Sequence, residues 1–172
     1  MKRILLLSLL FVTTLSTMAD TLTIRQLFVE MPDSVIPYLS RNNRLDFLDF
    51  MDSKMTAEVT NDLGGKSVLT TLGDDSLTIR LNDACTVELL LMTATEMVDD
   101  SKNVICMVST FGVAGEYQDF EVQYFTTKWR KLTTVPKLTE GHEKRLKEHV
   151  KPSNILKIIN EKLNKINKIL TS

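Results

Sequence analysis

Between Ala57 and Trp129 the chain consists of short runs of alternating apolar and polar residues, and turn residues separate the runs. From Leu77 to Leu81 every second residue is apolar, which is typical of a strand with one buried and one wetted face. The segment contains about six such runs, a usual number of strands for a sheet. The pattern predicts a six-stranded, mostly antiparallel sheet in which consecutive strands are neighbours.

Two of the runs, residues 89–92 and 104–108, are apolar at consecutive positions. A strand with this pattern needs cover on both of its faces. We therefore expect the strands that contain these runs, residues 85–95 and 104–112, to be the central strands of the sheet.

Residues 61–65, Asn-Asp-Leu-Gly-Gly, separate two runs, and the paired glycines are expected to supply the positive φ of a tight hairpin turn. Residues 65–67, Gly-Lys-Ser, are also similar to the end of a phosphate-binding loop. That loop requires a glycine where Thr60 stands and a helix after the serine, whereas residues 67–72 have the pattern of a strand. We interpret the segment as a turn.

Three apolar groups precede the sheet. The first recurs at helical spacing up to Pro32 and predicts a short amphipathic helix. The second, in residues 35–39, is interrupted by Pro37 and fits a single turn. The third predicts a helix over about residues 44–54. The apolar stripes of the two helices are Ile24, Leu27, Phe28 and Met31, and Leu45, Leu48, Met51 and Met55.

Residues 1–19 have the pattern of a signal peptide, with a basic start at Lys2 and Arg3, an apolar core over residues 4–15 and a small residue, Ala19, at the end. The apolar run is short for a membrane span, and no cysteine stands near the cleavage point to carry a lipid. We expect an exported, soluble protein that is periplasmic or secreted, with an α+β domain over residues 20–136.

The last segment, residues 137–172, is rich in Lys, Asn and Ile. Its apolar residues recur at spacings of three and four after Pro152, which predicts an amphipathic helix. This helix packs on the body in one interpretation, and docks on a partner or makes weak contact with an anionic membrane surface in another. A third interpretation gives the segment no defined role. The apolar residues are Ile155, Ile159, Leu163, Ile166 and Leu170.

Charge is unevenly distributed along the mature chain. Residues 20–136 hold 10 Lys and Arg against 18 Asp and Glu, a net charge of −8, whereas residues 137–172 hold 9 against 4, a net charge of +5. Because an acidic body repels phosphate backbones, we expect no nucleic-acid partner.

An exported chain with two cysteines raises the question of a disulfide between Cys85 and Cys106. If their strands form a hairpin that turns near Asp100, Cys106 faces about residue 95, roughly 33 Å along the strand from Cys85. A disulfide allows at most about 7 Å between the two Cα atoms. We expect two free, buried thiols, and a disulfide is the alternative.

The histidines, His142 and His149, are the candidate bases for nucleophilic catalysis, which requires an activated Ser or Cys with a base in reach. They lie seven residues apart and therefore on one side of any helix there. The simpler interpretation is that both are exposed on a solvated helix. The alternative is a metal site, or a base for Cys85 or Cys106.

Asp46, Asp49 and Asp52 repeat every three residues, which places three carboxylates along one side of the third predicted element. Paired carboxylates perform acid–base catalysis or bind a hard cation such as calcium. The simpler interpretation is a wetted helical face with Arg44 and Lys54 nearby, since no glycine loop of calcium-binding spacing accompanies the carboxylates.

Four aromatic residues lie late in the predicted sheet: Tyr117, Tyr124, Phe125 and Trp129. Packing in the core and on the sheet faces is the simpler explanation of such residues. Alternatively, an edge strand presents these rings to a ligand or another protein.

The amino-acid sequence resembles a family of uncharacterised exported Bacteroidales proteins at residues 24–28, 31–40, 43–50, 63–67 and 104–111. The resemblance covers about residues 20–131, and the segment from Lys137 onward departs from it. It implies export and an N-terminal helical segment followed by an antiparallel sheet. It assigns no activity and no catalytic or binding residue.

These observations predict an α+β fold, with N-terminal helices packed on a six-stranded, mostly antiparallel sheet and a C-terminal helix added. We expect a non-enzymatic exported binding or interaction protein of the cell envelope, with a protein or glycan partner, no cofactor and no metal. One alternative is a hydrolase that uses the carboxylates of the third predicted element. Another is peripheral membrane association through the C-terminal helix. No catalytic residue is assigned.

Overall fold

The structure is a computed structural model that describes residues 22–112 and 118–149, with side chains as far as residue 147 in the last helix. The predicted signal peptide and the predicted helix after Pro152 lie outside these ranges and stay predictions. None of the described helices combines the length and apolar character needed to cross a bilayer. The elements are α1 Ile24–Glu30, α2 Arg41–Asp52, β1 Glu58–Thr60, β2 Lys66–Leu72, β3 Ser76–Asn82, β4 Cys85–Val98, β5 Ser101–Phe111, β6 Asp119–Thr126 and α3 Glu140–His149.

The six strands form one antiparallel sheet in the order in which they follow each other along the chain. The predicted α+β class and the predicted meander are therefore confirmed. The strands β4 and β5 carry buried side chains on both faces, as the consecutive apolar positions predict. In β4, for example, Leu89 belongs to the core on one face and Leu90 to the core on the other.

The ladder between β4 and β5 changes register near its turn. Val98 pairs with Ser101, but Thr93 pairs with Asn103, so four residues of β4 oppose a single residue of β5. Cys106 consequently pairs with Leu90, and the register predicted for a regular hairpin was wrong by five positions. Both thiols are nevertheless free and buried, as predicted, because Cys85 and Cys106 belong to the cores on opposite faces of the sheet.

The first face, which we call the helical face, is covered by α1 and α2. Each helix begins with a capping box, Thr23 with Gln26 in α1 and Ser40 with Asn43 in α2, which satisfies backbone N–H groups at the start of the helix. Apolar side chains of both helices then pack on alternate residues of the strands. The core of this face includes Ile24, Leu27, Phe28, Phe47, Leu48, Leu77, Ile79, Leu89 and Ile105.

The buried stripe of α2 differs from the predicted one. The helix begins at Arg41, and its buried residues are Arg44, Phe47 and Leu48, whereas Met55 is exposed. Arg44 is only 1% exposed, and its guanidinium donates to the Leu39 carbonyl at 2.7 Å, to the Met31 carbonyl and to the Asp33 carboxylate. Its charge is tolerated in the core because these oxygens replace water. The placement of Arg44 on a wetted face was therefore wrong.

The end of α2 is a Schellman motif, in which two backbone N–H groups after the helix donate back to its last carbonyls. Lys54 N–H donates to Met51 at 3.1 Å, and Met55 N–H donates to Phe50 at 2.9 Å. The motif places Lys54 at φ +56°, in the left-handed region that favours glycine.

The second face, which we call the α3 face, is covered by residues 132–146. Its core is smaller, and Phe120, Val122 and Leu146 remain partly exposed around it. The segment before α3 pairs with the free edge of β4, where Thr95 N–H donates to the Lys137 carbonyl at 2.7 Å. The buried residues of this face are Leu90, Met92, Ala94, Val104, Cys106, Val108, Tyr124 and Leu138.

The turn between β1 and β2 is confirmed, although only Gly64 has a positive φ, of +77°. The Asn61 side chain organises the turn, since its Oδ1 accepts from Leu63 N–H and Gly65 N–H at 3.0 and 3.1 Å. Ser67 lies in β2 and its hydroxyl donates to the Leu81 carbonyl at 2.8 Å. The segment is therefore structural.

Candidate functional site

The three aspartates of α2 do not form a site in the described structure. Asp46, Asp49 and Asp52 are all exposed, and Asp52 forms an ion pair with Arg25 of α1. The Arg25 guanidinium, which hydrogen-bonds to Asp52, lowers the pKa of that carboxyl. None of the clefts described below is lined by these residues. The residues therefore fit the predicted wetted helical face.

His142 is not exposed on a solvated helix, so the simpler interpretation of this residue was wrong. It is half-buried against β4, where its Nδ1 accepts a hydrogen bond from Thr93 N–H at 3.0 Å. The Thr139 hydroxyl lies 3.0 Å from the same nitrogen. Because a backbone N–H only donates, the neutral ring carries its proton on Nε2. The side chain of His149 lies outside the described residues.

The role of His142 follows from the shape of the sheet. β3 begins at Ser76, opposite Leu90, whereas β4 continues to Val98, so the last part of β4 lacks a β3 neighbour. The chain at residues 137–139 and the ring of His142 supply partners for the N–H and C=O groups on this edge. Exposed strand edges pair readily with other chains, and covering them is a common protection.

An open cleft of ≈ 580 Å³ lies beside this edge, and we call it the histidine cleft. Its apolar part comes from Leu22 and Leu91, and its polar groups come from four parts of the fold. The polar residues are Thr23 before α1, Asp74 and Asp75 in the β2–β3 turn, Thr93 and Asn103 in the β4–β5 hairpin, and His142 in α3.

The backbone of the β2–β3 turn fixes the position of the carboxylates in this cleft. The Asp74 carbonyl accepts from Ile24 N–H at 3.0 Å, and the Asp75 carbonyl accepts from Leu91 N–H at 2.7 Å. The turn is thereby tied both to α1 and to β4. The Asp75 carboxylate pairs with Arg145 at 2.5 Å, and this hydrogen bond lowers the pKa of Asp75. Asp74 is exposed, and its carboxylate has no partner among the described residues.

A second cleft, of ≈ 160 Å³, lies on the helical face near the other end of β4, and we call it the edge pocket. The chain between α1 and α2, at residues 35–38, forms one wall, and Glu121 and Gln123 of β6 form another. Within it the Tyr38 hydroxyl lies beside the Cys85 thiol, and burial raises the pKa of both groups.

Neither thiol has the surroundings of a catalytic nucleophile. Burial, followed by the negative charge of Glu88, raises the pKa of Cys106 to about 12, and burial raises the pKa of its partner Tyr124 to about 12. A reactive thiol needs a lowered pKa instead. The described partners of His142 are Thr93 and Thr139, so the predicted alternative that it serves a cysteine was wrong.

The described late aromatic residues are structural. Tyr124, Phe125 and Trp129 are buried, and the last two rings pack with their centroids 5.5 Å apart. Trp129 Nε1–H donates to the Leu27 carbonyl at 2.9 Å and so holds α1 against the sheet. Presentation of Phe125 and Trp129 to a ligand is wrong as a prediction, whereas Tyr124 lines an open cleft of ≈ 470 Å³ on the α3 face and its role there stays a prediction. Tyr117 lies outside the described residues.

The residues of the histidine cleft carry no sequence signal that marks them as a set. Asp74 and Asp75 lie in a predicted turn, Thr93 lies in a predicted strand, and Asn103 immediately precedes the next predicted strand. The contact between Thr93 and His142 spans 49 residues of sequence. The described residues contain no group of three or more His, Cys, Asp or Glu side chains placed to hold a metal ion.

A protein-family model described as "Protein of unknown function (DUF3256)" matches residues 14–164 of the chain. A solved structure of a domain of an uncharacterized protein from Porphyromonas gingivalis W83 is similar, with 23% sequence identity and a TM-score of 0.48. The match covers 64% of this chain and 54% of that one, so it spans about half of the solved structure. No curated protein matches the sequence.

Proposed function

We propose that the chain, which belongs to the DUF3256 family of unknown function, is an exported, non-enzymatic binding protein of the cell envelope. In this proposal the histidine cleft is the binding site, for a peptide or a glycan. The protein is periplasmic or secreted, and the signal peptide predicted at residues 1–19 supports this part of the proposal.

The observation that carries the proposal is the composition of the histidine cleft. An open cleft that combines a small apolar surface with a few polar groups from separate parts of the fold is the usual form of a ligand site. Here Asp74 and Asn103 present a carboxylate and an amide beside Leu22 and Leu91. These groups accept and donate hydrogen bonds, as the hydroxyl groups of a sugar or the amide groups of a peptide require.

Two further observations favour binding over hydrolysis. The carboxylates available to the hydrolase alternative are spread along an exposed helical face, and Asp52 is engaged by Arg25. In the histidine cleft, Nδ1 of His142 and the carboxylate of Asp75 are already occupied by Thr93 and Arg145. Both groups therefore hold the walls of the cleft in place.

Binding by the cleft is tested with a double variant, Asp74→Ala with Asn103→Ala, whose side chains have no described partners inside the protein. Envelope glycans and peptides are fractionated, and binding to the mature chain is measured by saturation-transfer NMR. We expect a ligand whose affinity falls at least tenfold in this variant, the loss of two polar contacts. The matched control is Asp46→Ala with Asp49→Ala on α2, which should bind as the wild type does. Equal binding by all three proteins contradicts the proposal.

Export is tested separately by fractionating cells that produce the full chain or the chain without residues 2–19. We expect only the full chain to reach the periplasm or the medium, with a mature N-terminus at Asp20 in mass spectrometry. Full-length chain retained in the cytoplasm contradicts export and leaves the binding experiment unaffected.

A further inference from the structure

The outer edge of β6 presents backbone hydrogen-bonding groups to solvent. Tyr124 C=O accepts from Leu132 N–H at 2.8 Å, and Thr126 N–H donates to Arg130 C=O at 2.9 Å, both on the side away from β5. Because the direction of backbone groups alternates along a strand, Phe120 and Val122 also direct theirs outward. Phe120 N–H donates to the exposed Asp119 carboxylate at 2.9 Å, which an incoming carbonyl would have to displace. Among the described residues, the backbone of Val122 has no partner on that side.

The edge pocket lies next to this open edge. Glu121 and Gln123 point to the helical face and form the wall of the pocket nearest to the edge. The Gln123 side-chain amide donates to one oxygen of the Glu121 carboxylate, and the other oxygen has no described partner. Behind them, the hydroxyl groups of Ser109 and Tyr38 stand among apolar side chains. A volume of ≈ 160 Å³ corresponds to about five water molecules, the size of one large side chain.

The charges on this edge argue against pairing with a second copy of the chain. Pairing Phe120 with Val122 of the copy places Glu121 opposite Glu121, and pairing Phe120 with Phe120 places Glu121 opposite Asp119. Directly opposed like charges destabilise a sheet. A register that pairs Val122 with Val122 of the copy requires a hydrogen bond to the Tyr124 carbonyl, but that carbonyl already accepts from Leu132 N–H. The edge is therefore complementary to a strand that carries basic residues.

We propose that the edge of β6 at residues 119–123 and the edge pocket together bind an extended peptide segment of a partner protein, with a lysine or arginine side chain paired with Glu121. The segment adds a seventh strand, so main-chain hydrogen bonds supply affinity and the pocket supplies selectivity. This site goes beyond the histidine cleft. The two lie at opposite ends of β4, with Cys85 in one and Thr93 in the other, about 27 Å apart along the strand.

The probes are nine-residue peptides of alternating Lys and Val, and the same peptides with Glu in place of Lys. They are titrated into the ¹⁵N-labelled mature chain at about 150 mM salt, where long-range attraction between charges is screened. We expect the Lys peptide to shift the amide signals of residues 119–123, and the Glu peptide to bind at least tenfold more weakly. Equal binding of the two peptides, no binding at millimolar concentration, or shifts confined to other residues would overturn the proposal.

Backbone methylation of the Lys peptide separates strand addition from attraction between charges. A lysine opposite Glu121 directs its own N–H away from β6, whereas the neighbouring valines direct theirs toward it. Methylating the valine nitrogens should therefore weaken binding at least tenfold, and methylating the lysine nitrogens should change it less than about threefold. Equal effects of the two modifications are inconsistent with an added strand.

Variants of the protein complete the test. Glu121→Lys should reverse the preference between the Lys and Glu peptides, because Glu121 is exposed and its replacement leaves the core intact. Val122→Pro removes the outward N–H and should abolish binding, whereas Val122→Ala keeps that N–H and should bind. The fluorescence of Trp129 shows whether Val122→Pro folds. If it does not fold, the results with Glu121→Lys and with the methylated peptides decide whether the proposal holds. Concentration-dependent shifts of residues 119–123 without peptide would show self-pairing and overturn the proposal.

Discussion

The two faces of the sheet are built from the same strands but are covered in different ways. On the helical face, α1 buries Ile24, Leu27 and Phe28, and α2 buries residues as large as Phe47. On the α3 face, none of the described side chains of α3 is fully buried. That helix is held by the contacts of His142 with Thr93 and of Arg145 with Asp75, together with partial burial of Leu146.

This difference indicates a division of roles. The large apolar core of the helical face supplies most of the hydrophobic stabilisation, which scales with apolar area removed from water. The cover of the α3 face depends on a few polar contacts, each of which contributes little by itself. The histidine cleft is bounded by those polar contacts, so its shape can change without unfolding the sheet.

The sharpest test of this contrast uses two neighbouring residues of β4, Leu89 and Leu90, which are both 0% exposed but face opposite cores. We expect Leu89→Ala to lower the free energy of unfolding by about 4 kcal/mol and Leu90→Ala by about 2.5 kcal/mol, because the thinner cover on the α3 face can collapse into the cavity. Urea unfolding measures both. Leu63→Ala in an exposed turn is the control. A loss of unfolding free energy in Leu90→Ala that equals or exceeds the loss in Leu89→Ala contradicts the proposed difference between the faces.

A second test removes the buried charge of the helical face. Arg44→Met fills a similar volume but leaves the carbonyls of Met31 and Leu39 without their donor, so we expect a loss of about 3 kcal/mol in the free energy of unfolding. The matched control is Arg41→Met, at an exposed position of the same helix, with an expected change below about 0.5 kcal/mol. Equal effects of the two variants would show that the buried hydrogen bonds are not needed.

The two thiols give a third comparison, since each lies on a different face. Cys85 is 9% exposed and lines the edge pocket, whereas Cys106 is 0% exposed and burial raises its pKa to about 12. In the native protein at pH 8, we expect a thiol reagent to label Cys85 at least tenfold faster than Cys106. Mass spectrometry of single Cys→Ser variants measures the rates, and urea should make them equal. Faster labelling of Cys106 would show that the α3 face opens more readily than the edge pocket.

The smallest expected effect concerns pH. Because the hydrogen bond from Arg145 lowers the pKa of Asp75, the folded carboxyl releases its proton more readily than the unfolded one. The resulting stabilisation is complete above the ordinary aspartate pKa of about 3.9 and is lost as the pH falls through the lowered value. We expect α3 to loosen by less than about 1 kcal/mol, because the pair is partly exposed.

Amide chemical shifts of α3 between pH 5 and about pH 2.5 measure that change. Arg145→Gln should remove the part of this pH dependence that Asp75 causes, and the part caused by Glu140 and Glu143 of α3 itself should remain. The comparison is Asp52→Asn, which breaks the ion pair between α1 and α2 on the helical face. Since those helices are held by buried apolar side chains, their amide signals should stay in place. The proposed difference between the two faces is contradicted if Asp52→Asn displaces α1, or if the amide shifts of α3 do not change with pH.

The sheet could be predicted from the sequence because its signals are local. Alternation in residues 77–81 and consecutive apolar positions in residues 89–92 depend only on the direction of side chains along a strand. The register of β4 against β5 could not be predicted in the same way. It depends on the four residues of β4 that oppose Lys102 alone, and nothing in their composition marks an irregular hairpin.

The roles of Arg44 and His142 could not be predicted because both residues act through tertiary contacts. Arg44 reads as a surface residue until the carbonyls of Met31 and Leu39 are seen to surround it. His142 reads as part of a solvated helix until the free edge of β4 is known. In both cases a polar side chain hydrogen-bonds to backbone groups that would otherwise have no partner. No local sequence pattern shows which backbone groups these are.

The Schellman motif after α2 has a practical consequence. Lys54 occupies a backbone conformation that costs a non-glycine residue roughly 1 kcal/mol, and its side chain is exposed. Lys54→Gly should therefore raise the free energy of unfolding and leave the fold unaltered. Such a background would keep the Leu89→Ala and Arg44→Met proteins folded at the temperatures at which ligands and peptides are titrated.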